Sequence, residues 1–336
     1  MSILVGSLTL AAPVIVAPMS GVTDRPFRRL ARRLGAPLVV SEMIASAAML
    51  REVRDELRKA EIDGEDAPAV VQLAGWDPAV MAEAARLNAD RGAAVIDINM
   101  GCPAKKVVNK LAGSALMQDE ALAGRILEAV VAAVPVPVTL KMRLGWDDSS
   151  RNAARLARIA EQAGVQLLTV HGRTRCQMYT GTADWTAIGA VKDAVSLPVI
   201  ANGDITTMEK AQRCLELSNA DGVMIGRGCY GRPWFPRQVA AYLTDGTRLP
   251  DPGIGERKTI LVEHLDAMLS YYGIHTGLRN ARKHIGWYSQ GLPNSAAFRQ
   301  VANNTLDPRT VFQAIEDFFE PAIKPMIDPV IEWRAA

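Results

Sequence analysis

Short apolar runs alternate with segments of helical periodicity over roughly the first 230 residues of the chain. The apolar runs lie at 14–17, 38–40, 69–73, 95–98, 137–140, 167–170, 199–201 and 222–225, and helices are predicted between them, for example at 78–88, 122–134, 153–163 and 208–217. Continuous apolar runs are typical of parallel strands covered by helices on both faces. Eight such units predict an α/β fold, a TIM (β/α)8 barrel. A doubly wound sheet is the alternative, although the first strand–helix turn lacks the GxGxxG fingerprint.

The pattern changes after about residue 246, where strand-like runs cease. Proline and glycine residues between 250 and 255 predict a linker. Helices are predicted at 256–272, 278–288, 296–302 and 308–319, with a turn at 291–294. We therefore expect a barrel domain at 1–245 and a C-terminal all-helical domain at 246–336.

Composition narrows the class of protein without identifying a partner. Hydrophobic residues make up 49% and charged residues 22%, which is ordinary for a soluble globular protein, and the net charge of +2 is not that of a strongly basic nucleic-acid binder. The four cysteines show no CxxC pair or zinc-ligand spacing, so we expect no metal site. The N-terminus lacks the features of a signal peptide and no apolar stretch reaches membrane-spanning length, so we expect a cytoplasmic protein.

Polar or otherwise special residues follow every predicted strand. They are Pro18 and Met19, Ser41 and Glu42, Gln72, Asn99, Lys141, His171, Asn202 with Asp204, and Gly226 with Arg227. A barrel gathers the carboxyl ends of its strands onto one face, where active sites are built. The sequence therefore predicts a site at this face.

The loops after the seventh and eighth strands indicate phosphate binding. Gly203, Gly226 and Gly228 would leave backbone N–H groups accessible, and Arg227 adds charge. Each glycine alone is better explained by a tight turn, but the set favours phosphate.

Three strand-end side chains, Gln72, Lys141 and His171, could hold a planar ring. A flavin needs donors at its pyrimidine edge and a cation near N1 and O2, which suits Lys141. The alternatives are that Lys141 is an ordinary surface lysine and that His171 is a core histidine whose hydrogen bonds are made within the protein.

Cys102 lies on a Gly/Pro-containing loop directly beyond the fourth apolar run. A thiol there can meet a ligand, and we interpret it as a proton donor, because a thiol of ordinary pKa stays protonated at neutral pH. Nucleophilic attack by a thiolate, helped by Lys105 or Lys106, is the rival chemistry. Cys176 competes for the role, on a loop without this turn.

Seven segments together resemble the tRNA-dihydrouridine synthases, and within them the bacterial B-type branch, also described as nitrogen-regulation-like. The segments are APMSGVTD at 17–24, DINMGCPAKKV at 97–107, LAGSA at 111–115, HGRTR at 171–175, ANGDI at 201–205, MIGR at 224–227 and RKHIGWY at 282–288. Ser20 is a departure, since relatives often carry alanine there. The resemblance spans about residues 8–320.

The resemblance implies an NAD(P)-dependent oxidoreductase acting on CH–CH groups, with bound FMN and with NADPH as a transient reductant. The implied reaction reduces the C5=C6 bond of a D-loop uridine in tRNA to dihydrouridine, with hydride passing from flavin N5 to C6 and a proton from Cys102 to C5. Lys141 and His171 are implied as further catalytic residues. The implied FMN contacts are Pro18, Met19, Ser20, Gln72, Lys141, His171, Asn202, Gly203, Asp204, Gly226 and Arg227. A monomer is expected.

Basic residues near the predicted active face suggest where RNA is held. Expected substrate contacts are Asn99, which would face the uracil, Arg143, Lys105, Arg173, Arg282 and Lys283. Five arginines at 25, 28, 29, 32 and 33 crowd the first helix, and Lys106, Lys110 and Arg175 add charge to the rim. A solvated helix face is the alternative for the arginines.

Two rival functions fit parts of the sequence. One is an FMN barrel that acts on a free pyrimidine, as dihydroorotate dehydrogenases do, which the helical tail and the basic rim disfavour. The other is a regulatory RNA-binding scaffold without activity, which the intact set of strand-end polar residues disfavours.

Overall fold

A ring of parallel strands forms the centre of the first of two compact units, Met1–Leu249. The computed structural model describes residues 3–62, 68–109 and 111–323. The strands are β3 (Val14–Val16), β4 (Ile44–Ala45), β5 (Val70–Ala74), β6 (Val95–Met100), β7 (Val138–Arg143), β8 (Leu167–His171), β9 (Val199–Asn202) and β10 (Gly222–Ile225). They pair in parallel in the order β3-β10-β9-β8-β7-β6-β5-β4, which confirms the predicted TIM barrel.

The second barrel strand is interrupted. Val39 bridges to Val16 and Val40 bridges to Val70, which closes the ring between β3 and β5, and β4 resumes the pairing with β5. At the break, the Ser41 hydroxyl accepts a hydrogen bond from the Gln72 backbone N–H at 3.0 Å. The run predicted at 38–40 is therefore present only as isolated bridges, because a side chain replaces one backbone partner.

Helices surround the ring and follow the strands in the order expected. The helices of this unit are α1 (Arg25–Arg33), α2 (Ser46–Leu50), α3 (Arg54–Lys59), α4 (Pro78–Asp90), α5 (Lys105–Val108), α6 (Glu120–Ala133), α7 (Ala153–Gln162), α8 (Trp185–Lys192), α9 (Met208–Ser218) and α10 (Phe235–Asp245), with 3₁₀ turns at Gly113–Gln118 and Arg227–Cys229. Asp24, Asp77, Asp119, Asp184 and Thr207 cap five of these helices by accepting a backbone N–H three residues later. These caps fix where the loops of the barrel face end.

Inside the barrel, side chains become more polar toward the carboxyl ends of the strands. The hairpin of β1 (Ile3–Val5) and β2 (Leu8–Leu10) packs its buried side chains against inward-facing residues such as Val70, Val95 and Leu167. Above this apolar layer, the inward positions carry polar groups. The fold thus seals one end of the barrel and leaves the polar end for a site.

The second unit, Pro250–Ala336, is helical over its described residues. Its helices are α11 (Ile254–Tyr272), α12 (Ile274–Tyr288), α13 (Ser295–Asn304) and α14 (Pro308–Ile323). Gly277 allows α11 and α12 to cross closely, since a Cβ there would lie 2.8 Å from the Met268 carbonyl oxygen. His264 and His284 are buried in its core with ring centroids 4.5 Å apart.

Candidate active site

A cavity of about 1000 Å³ opens at the carboxyl ends of the barrel strands. It is large for a small-molecule site, since ligand pockets usually occupy ~300–1000 Å³. The predicted residues that line it are Pro18, Met19, Ser20, Gln72, Asn99, Cys102, Lys106, Lys141, Arg143, His171, Asn202, Gly203, Asp204, Gly226, Arg227 and Gly228. Segments far apart in sequence therefore converge on one space.

The Cys102 loop is held from both sides. The Asn99 carboxamide oxygen accepts the backbone N–H groups of Gly101 and Cys102, at 3.1 and 2.9 Å. Ser114 donates its hydroxyl and its backbone N–H to the Cys102 carbonyl, at 2.9 and 3.1 Å. Gly113 has φ +62° and its absent Cβ would lie 2.8 Å from that carbonyl, so glycine permits the contact. Cys102 is half-buried and lines the cavity on a loop that these contacts hold in place.

Lys141 places a cation in the cavity. The ammonium group makes no hydrogen bond or ion pair with the residues that the structure describes. Burial, and then the positive charge of Arg143, lower the pKa of Lys141 to about 8, while Asp97 and Cys102 oppose that change. The group is mostly protonated at neutral pH and free to contact a ligand.

His171 is a neutral imidazole whose ring proton lies on Nδ1. A guanidinium nitrogen of Arg173 lies 3.3 Å from its Nε2. Because an arginine only donates, Nε2 is the acceptor and the ring proton resides on Nδ1. Burial, followed by the charges of Lys141 and Arg143, holds the pKa of His171 well below its ordinary value. His171 can therefore donate a hydrogen bond to a ligand but carries no charge.

The loops after β9 and β10 pack together at the end predicted to bind phosphate. A Cβ on Gly228 would lie 2.3 Å from the Ile205 carbonyl oxygen, so this contact requires glycine. Arg227 is half exposed, and it donates to Asp204 at 3.1 Å. Asn202 donates its amide to the Met224 carbonyl at 2.7 Å, which aligns the two loops. Gly203 and Gly228 are buried in this packing, whereas Gly226 is half-buried and Arg227 is exposed, and both line the cavity. Gly226 and Arg227 therefore suit a phosphate group.

A buried polar chain lies behind the cavity and was missed from the sequence. The Asp97 carboxylate accepts from Gln72 Nε2 and from the Thr139 hydroxyl, both at 2.6 Å. Gln72 Oε1 in turn accepts from Asn99 Nδ2 at 2.8 Å. Burial raises the pKa of Asp97, and the two donors and Lys141 oppose this. An acidic residue inside an apolar run was the available signal.

Two arginines expected to contact RNA, Arg143 and Arg173, are buried among protein atoms. Arg143 donates to the carbonyls of Gly101, Thr174 and Met178, each at 2.8 Å, and so ties the Cys102 loop to the loop after β8. Arg173 is 1% exposed and donates to the Asp204 carboxylate at 2.6 Å. Both guanidinium groups hydrogen-bond to protein atoms, and Arg143 also lines the cavity.

Tyr179 is a second residue that the sequence did not indicate. Its half-exposed ring lines the cavity, with the guanidinium carbons of Arg143 and Arg227 at 5.4 and 5.3 Å from the ring centroid. Such contacts hold an aromatic ring at the cavity mouth. No periodicity or motif marks this position, because it lies on an irregular loop.

The remaining basic residues differ in accessibility. On α1, Arg28 is buried and donates to the carbonyls of Thr23 and Glu61, whereas Arg29 and Arg33 are exposed, so the arginines do not form one free stripe. Lys105 and Lys106 are exposed, and Lys110 lies outside the described residues.

In the helical unit, Arg282 and Lys283 are half-buried, and Arg282 donates to the Thr305 carbonyl at 3.3 Å. Cys176, the competitor of Cys102, is exposed and does not line the cavity.

Two features, a metal-ligand cluster and a membrane-spanning helix, are absent from the described residues. No group of three or more His, Cys, Asp or Glu side chains there could hold a metal ion. No helix in the described part of the chain has the length and apolar character needed to cross a membrane.

Comparison with known proteins identifies relatives over nearly the whole chain. The family model described as "Dihydrouridine synthase (Dus)" matches residues 15–323. A "Probable tRNA-dihydrouridine synthase" of Rickettsia bellii is 57% identical over 320 residues, covering 95% of this chain and 98% of the relative. The "tRNA-dihydrouridine synthase B" of Pseudomonas aeruginosa is 52% identical, covering 94% and 95%, and that of Xanthomonas campestris is 50% identical, covering 97% and 98%.

Proposed function

This chain belongs to the dihydrouridine synthase family, and we propose from that premise that it reduces the C5=C6 bond of a uridine in tRNA, using bound FMN and the reductant NADPH. The observation that carries the proposal is that Cys102, Lys141 and His171 line one cavity. A proton donor, a cation and a neutral hydrogen-bond donor are the groups that a flavin-dependent reduction of a conjugated double bond requires.

The cavity fits FMN by three features of its own. Its volume accommodates a large ligand, the half-buried Gly226 and the exposed Arg227 line it where a phosphate is expected, and the Lys141 ammonium lacks a protein partner among the described residues. When bound and reduced by NADPH, FMN supplies the hydride that adds to C6 of the uracil. Gln72, Lys141 and His171 would contact the ring, and the loops at 202–204 and 226–228 the phosphate.

Cys102 would give its proton to C5 of the uracil. Its loop is bonded at Asn99 and Ser114, so the thiol is positioned before the substrate arrives. Asn99 would contact the base as a donor only, because its oxygen already accepts two backbone N–H groups and its amide retains one free N–H. That hydrogen bond would select an uracil carbonyl.

The substrate must be turned out of the RNA fold to reach this cavity. Such extrusion costs a few kcal/mol, which contacts with the surrounding RNA must offset. We assign those contacts to exposed Lys105 on the barrel domain, 1–245, and to Arg282 and Lys283 on the helical domain, 246–336. We further propose that the reduced uridine lies in the D-loop of tRNA, that the protein is located in the cytoplasm and that it acts as a monomer.

The test is to purify the protein, measure flavin absorbance, and incubate it anaerobically with NADPH and tRNA that lacks dihydrouridine. We expect a yellow protein and a gain of two hydrogens at one uridine, read by nuclease digestion and mass spectrometry. Free uridine and orotate serve as parallel substrates. Reduction of a free pyrimidine but not of tRNA, or a colourless protein without activity, would contradict the proposal.

A further inference from the structure

Asp97 is a carboxylate buried one layer below the cavity. It is 3% exposed and lies on β6, in register with Gln72 on β5 and Thr139 on β7. It does not line the cavity. Burying a carboxylate is costly, and an apolar side chain of similar size would pack at the same place without that cost. The burial of Asp97 despite this cost therefore indicates a function other than packing.

The hydrogen bonds around Asp97 run in one direction. Gln72 donates to Asp97, Asn99 donates to Gln72, and the backbone of the Cys102 loop donates to Asn99. The loop N–H groups at one end of this chain can only donate and the Asp97 carboxylate at the other end can only accept, so together they fix which end of each carboxamide points where. The oxygens of Gln72 and Asn99 are thereby turned away from a ligand, and each amide nitrogen keeps one N–H for it.

Asp97 also faces the cation of the site. Lys141 lies on β7 two residues beyond Thr139, the residue opposite Asp97, and Asp97 is the carboxyl group that raises the pKa of Lys141, with a smaller effect from Cys102. The positive group that acts on Lys141 is Arg143 on its own strand, while the nearby His171 on β8 is neutral because its pKa lies well below the ordinary value. Both Asp97 oxygens are occupied by neutral donors, so its charge compensates Lys141 without bonding to it.

We propose that Asp97 is a positioning residue: its carboxylate orients the Gln72–Asn99 carboxamide chain behind the Cys102 loop and supplies the counter-charge for Lys141. The inference deepens the proposed function and rests on it for its biological meaning. It assigns the reaction a residue that contacts neither cofactor nor substrate.

The counter-charge is tested by titrating Lys141 directly in protein without flavin or substrate. Trace labelling with acetic anhydride across a pH series, read by peptide mass spectrometry, gives the midpoint of Lys141. In Asp97→Asn, both hydrogen bonds can persist while the charge is lost, and we expect the midpoint to fall by about one pH unit. In Thr139→Val, which removes a donor but keeps the carboxylate, the midpoint should stay near the wild-type value. An unchanged midpoint in Asp97→Asn overturns the counter-charge role.

The orienting role is tested by the reactivity of Cys102 in a Cys176→Ser background. Asp97→Leu removes the acceptor at the end of the chain, so Gln72 and Asn99 can turn and release the loop. We expect iodoacetamide to alkylate Cys102 several-fold faster in Asp97→Leu and at the wild-type rate in Asp97→Asn. Equal rates in all three proteins overturn the orienting role.

Activity links the two roles to the reaction. A midpoint of about 8 that falls to about 7 lowers the protonated fraction of Lys141 about three-fold at pH 7.5, and tRNA reduction by Asp97→Asn should fall at least as far. Wild-type protein that reduces no tRNA refutes the proposed function and leaves the labelling results intact. Active wild-type protein with a fully active Asp97→Asn variant refutes the role of Asp97 alone.

Discussion

Replacing Arg173 with methionine tests whether this arginine stabilises the folded loops or contacts RNA. The guanidinium donates to Asp204 at 2.6 Å, to the Gly181 carbonyl at 2.7 Å and to the Thr180 carbonyl at 3.0 Å. Breaking a buried ion pair from one side typically costs about 3–5 kcal/mol. Asp204 keeps Arg227 as a partner, and the two carbonyls belong to exposed residues that water can reach. We therefore expect a loss near the lower limit, about 3 kcal/mol.

Calorimetry of the purified protein measures this loss. About 2–4 °C per kcal/mol applies to a unit of this size, so the barrel transition should fall by about 6–12 °C. Arg227→Met is the matched control, because Arg227 pairs with the same carboxylate but is 49% exposed. It should lower the transition by about 4 °C at most, since exposed ion pairs contribute about 1 kcal/mol or less. An unchanged transition in Arg173→Met, with weaker and less salt-dependent tRNA binding, would refute the scaffold role.

Two further predictions concern acid stability and a loop glycine. Burial, and then the charge of Lys283, lower the pKa of His264 to about 3, so the unfolded chain binds more protons below pH 6.5 and stability falls as the pH drops. Denaturant unfolding of the helical unit should show a loss of about 2 kcal/mol from His264 alone between pH 7.5 and pH 5. His284 adds to this loss, because burial and then the neighbouring His264 hold its pKa well below the ordinary value. His264→Phe should remove the His264 part of the loss, and equal stability of the wild-type unit at both pH values would contradict this prediction. Gly203→Ala should abolish flavin absorbance, because its Cβ would lie 2.6 Å from the Ala183 Cβ, whereas Gly92→Ala, also at positive φ but with open space, should keep it. Retained flavin in Gly203→Ala would show that this loop yields to the added methyl group.

Local pattern was sufficient for most of the fold. Seven of the eight apolar runs are strands in one parallel sheet, because a strand buried on both faces must be apolar along its length. The second strand was less predictable. Its interruption depends on the Ser41 hydroxyl replacing a backbone acceptor for Gln72, a contact between residues 31 apart in sequence.

The cavity residues that directly follow strands could also be predicted, since the strand ends meet on one face, whereas Tyr179 on an irregular loop could not. What could not be predicted is which charged groups are buried. Arg28 and Arg173 look like surface cations in the sequence, yet their partners are carbonyls and a carboxylate set by the folded loops. Asp97 was hidden for the opposite reason, because the apolar residues around it suggested an uninterrupted hydrophobic strand.

The central claim is that Cys102 gives a proton to the substrate in the cavity that Lys141 and His171 also line. The Cys102→Ala variant tests this claim most directly. Stopped-flow absorbance follows the flavin through both half-reactions under anaerobic conditions. We predict that NADPH reduces the variant at the wild-type rate, whereas tRNA reoxidises it at least about 10²-fold more slowly, the usual contribution of a general acid. Reoxidation by tRNA at the wild-type rate would contradict the account.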